Sequence, residues 1–242
     1  MVMKKKLLTA TAIVLTMVSC AKEKSAGGIS FDVFSDVDLE EAVKSKVSDF
    51  AALPPSSDFK LEINDATQKI WEGKLSEWSP ATSLTVGSYS VRATYGSATE
   101  EGTAKPYFVG STNFSIEGGA TTTVKIPVEL GNCIVKIVCT EKFKNYFTNG
   151  KFTVTTGNGS QFDVTKDSSN AIFMEAYKFT LTGDFLNQGG AQQKFEKVFE
   201  DLSAGTLYTL NFDAANIGGL TITITFNDNV TTVDLGSVEI NN

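Results

Sequence analysis

LTVGSYSVRATYGSATEEGTAKPYFVGSTNFSI, residues 84–116, reads as three consecutive strands, and the chain on both sides repeats its grammar. Leu84 and Val86, then Tyr89, Val91, Ala93 and Tyr95, alternate with polar residues on either side of the Gly87-Ser88 break. That period of two marks a half-buried strand. Gly96-Ser97 and Glu100-Glu101-Gly102 end it, and Pro106 keeps the next segment extended. Phe108, Phe114 and Ile116 supply the inward faces that follow.

Upstream, Ile29, Phe31 and Val33 share one face of a first strand, a mixed segment follows, and Leu53-Pro54-Pro55-Ser56 breaks it. Phe59, Leu61 and Ile63 restart the alternation, Trp71 and Trp78 bracket a loop or short strand, and TTTVKIPVEL (residues 121–130) closes a first unit. A second begins with CIVKIVCT at Cys133 and continues through KFTVTT (residues 151–156), with Asn158-Gly159 as a hairpin turn. Ile172 to Met174, Lys178 to Thr182, and Phe195, Val198 and Phe199 supply its middle strands. Leu202, Gly205 and Tyr208 then echo Leu84, Gly87 and Tyr89, and residues 220–226 and 232–240 give two more strands. Short strands at this spacing imply an all-β chain of two tandem β-sandwiches, each of about 100 residues. Their division falls at Gly131-Asn132, giving residues 29–130 and 131–242.

Abundant Phe (17) and scarce Pro (5) suit a strand-rich core. The net charge of −7 repels phosphate backbones and argues against a nucleic-acid partner. The chain has no histidine, which removes Ser-His-Asp and Cys-His catalysis and the commonest transition-metal ligand together. The expectation is binding without catalysis, with no cofactor and no metal.

The N-terminus carries an address. Lys4-Lys5-Lys6 and the apolar residues 7–18 form a signal peptide over residues 1–19. Met17-Val18-Ser19-Cys20 resembles a lipobox, with Met17 in place of Leu and Ser19 in place of Gly or Ala. Acyl chains on Cys20 would anchor the protein to a membrane without spanning it. Residues 20–28 read as a flexible tether, and no later apolar run is long enough for a transmembrane helix.

GSYSV, PYFVG, FSI, EGG and CIVKIVCTEKF together resemble a Bacteroidetes lipoprotein family of unknown function. That family is grouped with the fimbrillin-like two-domain pilins and adhesins of Gram-negative gut and oral bacteria. The resemblance covers residues 28–240. It implies two transthyretin-like Greek-key sandwiches on a lipid-anchored outer-membrane protein of the cell surface. The implied role is adhesion or service as a pilus anchor or accessory subunit, with other pilus subunits or host and glycan ligands as partners. The first strand, with Ile29, Phe31 and Val33, is then the candidate strand-exchange segment. Related polymerising pilins are cleaved after an arginine near that strand, whereas the only arginine here is Arg92, in mid-strand. The sequence also stops directly after its last expected strand. Both departures favour an anchor, an accessory subunit or a non-polymerising surface lipoprotein over a shaft subunit.

Other residues carry weaker chemistry. Asp36, Asp38, Glu40 and Glu41 could offer oxygens to Ca²⁺, but they lack the glycine and distal glutamate of an EF-hand and read as solvated loop. Asn227, Asp228 and Asn229 suit a turn. Among Trp71, Trp78, Tyr89, Tyr95 and Tyr107, the two tyrosines in phase with Val91 belong to the core. Trp71 and Trp78 remain candidate glycan contacts, which keeps a glycan-binding lipoprotein for polysaccharide capture as the alternative function. Cys133 and Cys139 lie on one face of one strand, roughly 20 Å apart at strand rise and beyond disulfide reach. They read as buried apolar residues rather than nucleophiles.

Overall fold

A computed structural model describes residues 26–34, 46–79, 81–168, 170–215 and 219–225. Cys20, the acidic cluster at residues 36–41, the turn at 227–229 and the expected strand at 232–240 lie outside the described residues.

The first unit contains β1 (Ala26–Phe34), β2 (Lys60–Asn64), β3 (Lys69–Lys74), β4 (Ser83–Thr85), β5 (Gly87–Tyr95), β6 (Phe108–Ile116), β7 (Thr121–Pro127) and β8 (Glu129–Leu130). The second contains β9 (Cys133–Cys139), α1 (Glu141–Tyr146), β10 (Phe147–Thr156), β11 (Gln161–Thr165), β12 (Ala171–Met174), β13 (Phe179–Asn187), β14 (Gln192–Phe199), β15 (Leu207–Ala215) and β16 (Gly219–Thr225). One topology is used twice. A sheet ordered β4-β1-β7 faces one ordered β3-β2-β5-β6-β8, and β12-β9-β15-β16 faces β11-β10-β13-β14. In both units the first strand runs parallel to the seventh, β1 with β7 and β9 with β15, while the other pairings are antiparallel. The chain is an all-β pair of Greek-key sandwiches.

Each sandwich closes over a core of its own, and the first also takes in Ile134, Ala171 and Phe173 of the second unit. Ile29, Val33, Leu84, Val124 and Ile126 from one sheet meet Leu61, Ile63, Val91, Phe108 and Ile116 from the other. In the second unit Val135, Ile137, Leu210 and Phe212 meet Phe152, Val154, Phe179, Leu181 and Phe185. The strict alternation of β5 and β13 is what allows this, since only every second side chain reaches the interior. Two glycines mark close approaches. A Cβ on Gly110 would sit 1.9 Å from the Pro127 carbonyl oxygen, where the chain leaves β7 and, as β8, joins the opposite sheet beside β6. A Cβ on Gly183 would meet the Phe195 ring at 2.0 Å, so the glycine leaves the ring its place over the strand.

Four expectations need correction. Ala26 to Gly28 are strand rather than tether, because their main chain pairs with Ser83 to Thr85. Val86 points outward and is 50% exposed, since the chain breaks between β4 and β5. The likeness of Leu84–Tyr89 to Leu202–Tyr208 is local rather than topological, because β15 corresponds to β7 and not to β5. What the two stretches share is a tyrosine corner. The Tyr89 hydroxyl donates to the Thr85 carbonyl at 2.8 Å, and the Tyr208 hydroxyl accepts from the Ser203 amide at 2.8 Å. Finally, α1 interrupts what the sequence pattern reads as strand and loop. Thr140 caps it, its side chain accepting from the Phe143 amide at 3.2 Å, and Phe143 is fully buried beneath it.

The joint between the units combines hydrogen bonds with apolar contacts, Ile134, Ala171 and Phe173 being buried in the first unit's core. Asn132 is buried, accepts from the Tyr107 amide at 3.2 Å and donates to the Lys105 carbonyl at 2.9 Å. From the same loop, Gly102 exchanges two main-chain bonds with Phe173 of β12, at 2.8 and 2.9 Å. The Glu101 carboxylate accepts from the Thr156 hydroxyl at 2.6 Å, the Glu175 amide at 3.0 Å and the Asn158 side chain at 3.3 Å.

Candidate functional site

β1 is the element on which the candidate chemistry converges. Its pairing with β7 runs from Gly28 opposite Thr121 to Phe34 opposite Pro127, and the Ser30 hydroxyl donates to that of Thr123 at 3.2 Å. Ile29 and Val33 are buried, so this face of β1 completes the first core. Phe31, half-buried, turns toward an aromatic row. Its ring meets Trp78 edge-to-face at 5.1 Å and Phe114 at 6.4 Å, Trp78 meets Trp71 at 5.0 Å, and Phe114 stacks on Tyr89 at 5.6 Å. Such geometries are worth ~0.5–1.5 kcal/mol per pair beyond area burial. Withdrawing β1 would uncover the faces of Trp78 and Phe114 that Phe31 meets and take Ile29 and Val33 out of the core.

The two tryptophans separate. Trp78 is only 9% exposed and wedged between Phe31 and Trp71, so it offers no open ring face to a sugar; this corrects the expectation of Trp78 as a glycan contact. Its indole Nε1 is buried without a hydrogen-bond partner among the described residues. Trp71 lies opposite Ile63 on the edge strand β3 and is half-buried against the same core. The spacing of the two residues in sequence hid this, because a short 3₁₀ turn at Leu75–Glu77 folds Trp78 back under Trp71.

Nucleophilic chemistry finds no support in the cysteines. Cys133 and Cys139 are buried free thiols, and desolvation pushes both up to about 12, far from a reactive thiolate. Among the described residues no cluster of three His, Cys, Asp or Glu could hold a metal ion, and no helix is long and apolar enough to cross a membrane. Arg92 is exposed on β5 and donates to the Tyr107 hydroxyl at 3.2 Å. Open depressions lie on both units: one of about 470 Å³ on the first is lined by Asp65, Ser88, Tyr89, Asn113 and Phe114, beside the aromatic row, and two adjoin on the outer face of the second. One of about 580 Å³ lies over Lys151, Thr165, Asp184, Leu186 and Gln192, and one of about 490 Å³ beside it shares Lys151 and Asp184.

No curated protein is significantly similar in sequence to the chain. Among solved structures it is similar to a fimbrial assembly protein from Parabacteroides distasonis, with 9% identity, a TM-score of 0.48, and 84% of this chain and 99% of the other covered. It is also similar to a "putative cell adhesion protein" from Bacteroides uniformis, at 8% identity and a TM-score of 0.47 over 86% of this chain and 98% of the other. A third likeness is to "putative polysaccharide binding proteins (DUF1812)" from Bacteroides thetaiotaomicron, at 11% identity and a TM-score of 0.44 over 82% of this chain and 95% of the other. The family model described as "Domain of unknown function (DUF4493)" matches residues 25–242, and the chain belongs to that family.

Proposed function

We propose that the protein is a lipid-anchored cell-surface protein of the outer membrane that acts in adhesion, or as the anchor or accessory subunit of a surface fibre, by binding rather than catalysis. Residues 1–19 are its signal peptide, Cys20 its lipidation site, and residues 29–130 and 131–242 its two domains. Its partners are other fibre subunits or host and glycan ligands, engaged through sheet edges and loops.

The supporting observation is the setting of β1. It is the middle strand of a three-stranded sheet, and it supplies Ile29, Phe31 and Val33 to a core otherwise built by residues 47–134 with contributions from β12 and β15. A strand with that role is a unit that a neighbour's strand could replace, with main-chain bonds giving affinity and the pockets vacated by alternate side chains giving specificity. The two thiols, held protonated by burial, fit a binding protein.

Immunogold labelling of intact cells, paired with a gel of unboiled surface extract, tests the proposal. Surface label is expected, with Cys20→Ala releasing the protein from the membrane fraction. A ladder of stable multimers would place it in a fibre, and a diffuse label with monomer alone would leave adhesion without assembly. Label only after permeabilisation would overturn both.

A further inference from the structure

We propose that the edge of β14 is a self-association surface that pairs with the β14 of a second copy, joining the two β11-β10-β13-β14 sheets into one. Among the described residues β14 pairs only with β13, so one side of an eight-residue strand carries main-chain groups that no strand meets. Its outward side chains are Gln192, Lys194, Glu196 and Val198, and its inward ones Gln193, Phe195, Lys197 and Phe199. Edge strands carry lysines to discourage pairing, and here the charges oppose the registers centred on a charged residue and favour one centred between Lys194 and Glu196.

A two-fold antiparallel pair must pass its axis through a self-opposed residue, because only residues of one parity send main-chain groups outward. Centring on Lys194, Glu196 or Lys197 sets like charges face to face, which is destabilising. Centring on Phe195 sets Lys194 opposite Glu196 of the second copy, and Glu196 opposite its Lys194. Gln193 then faces Lys197, and the two Phe195 rings meet on the inner side.

The outer row is prepared for this. Lys194 already pairs with Asp184 at 3.1 Å, and Asp184 lies opposite Lys151, giving alternating charges that run to the sheet edge. Glu196, at the edge and exposed, has no cation paired with it among the described residues. The incoming Lys194 supplies one. The occupant is therefore a second copy of this chain, favoured by charge self-complementarity in the register that forms two reciprocal Lys194–Glu196 pairs.

Sedimentation of the full-length chain in mild detergent tests the proposal, with every variant made in an Asp184→Asn background so that the intrachain pair does not bias a charge swap. The parent is expected to show a reversible monomer–dimer equilibrium. Glu196→Lys and Lys194→Glu should each weaken association by about tenfold or more, and the double swap should return to within about threefold of the parent. Circular dichroism confirms that each variant is folded. A parent that stays monomeric at every concentration overturns the proposal, as when residues 226–242 of the same chain occupy the edge. So do single swaps that dimerise as well as the parent, or a double swap that does not recover.

Discussion

The two sandwiches share one strand plan but treat their first strand differently. β9 is embedded: Cys133, Val135, Ile137 and Cys139 face the second core, while Ile134 on its other side faces the first. β1 contributes Ile29 and Val33 to one core, with Phe31 half-buried against the aromatic row, while Ser30 on its other face is exposed. Their parallel partners diverge as well. β15 continues into β16 and extends its own sheet, whereas β7 turns at Pro127 and sends β8 across to the opposite sheet. The same topology therefore yields one first strand locked between two cores and one that, among the described residues, contributes to a single core.

The largest effects should follow the locked core. Phe152 touches Phe143, Phe185 and Phe212, with ring centroids between 4.4 and 6.0 Å. Phe152→Ala should destabilise the second unit by about 3–5 kcal/mol in urea titrations. Phe31→Ala, which removes a half-buried ring, should lower the first unit by only about 1–2 kcal/mol. Equal losses would erase the distinction between the closed second core and the half-buried aromatic row beside β1. A sharper cut comes from joining β1 to β7. Ser30→Cys with Thr123→Cys, oxidised, ties the strand where the two hydroxyls already meet. It should abolish any multimer ladder while leaving surface label intact, and reduction should restore the ladder.

The joint between the units comes next. Glu101→Ala leaves the Thr156 hydroxyl, the Asn158 amide and the Glu175 N–H without their shared acceptor. Bonds to a charged group are worth about 1.5–3 kcal/mol each when buried, but Glu101 is half-exposed, so a total of about 1–2 kcal/mol is expected. The signature is loss of coupling. Two urea transitions should separate further in the variant, whereas a uniform shift of both would mean that Glu101 braces only one side.

Much of this frame was legible in sequence because strand period and turn chemistry are local properties. Tyr89, Val91 and Ala93 announced an inward face, and Asn158-Gly159 a hairpin. The parallel pairings were not legible, since Ile29 and Thr122 are neighbours only after most of the first unit has folded. The helix α1 could have been found: Thr140 followed by Glu141, with Lys144 in the last turn, is a capping and dipole signature that the aromatic residues around it masked. Trp78 misled for a related reason. A tryptophan in a short polar segment looks like a surface ring until the turn that buries it is known. The expected signal peptide and Cys20 were read from a basic-then-apolar pattern and a likeness to a lipobox, and they lie outside the described residues.

The smallest expected effect concerns the corresponding outer strands, β3 and β11. Each is tied to its neighbour by a lysine reaching an acid, Lys60 to Glu72 in the first unit and Lys151 to Asp163 at 2.6 Å in the second. Glu72 also receives Lys69, and hydrogen bonds from the two lysines hold its carboxyl down at about 2; Asp163, with Lys151 and the Thr153 hydroxyl, is lowered too. A carboxylate whose folded pKa is depressed contributes stability above its unfolded value and loses it as pH falls through the folded one. For Glu72 that window runs from its ordinary value of 4.5 down to about 2. Both sites are solvent-exposed and screened, so the loss should be slight and should fade as salt is raised. Glu72→Gln should flatten the acid limb of the first unit's stability curve and leave that of the second unchanged. If it flattened both equally, the two outer edges would be acting as one electrostatic system.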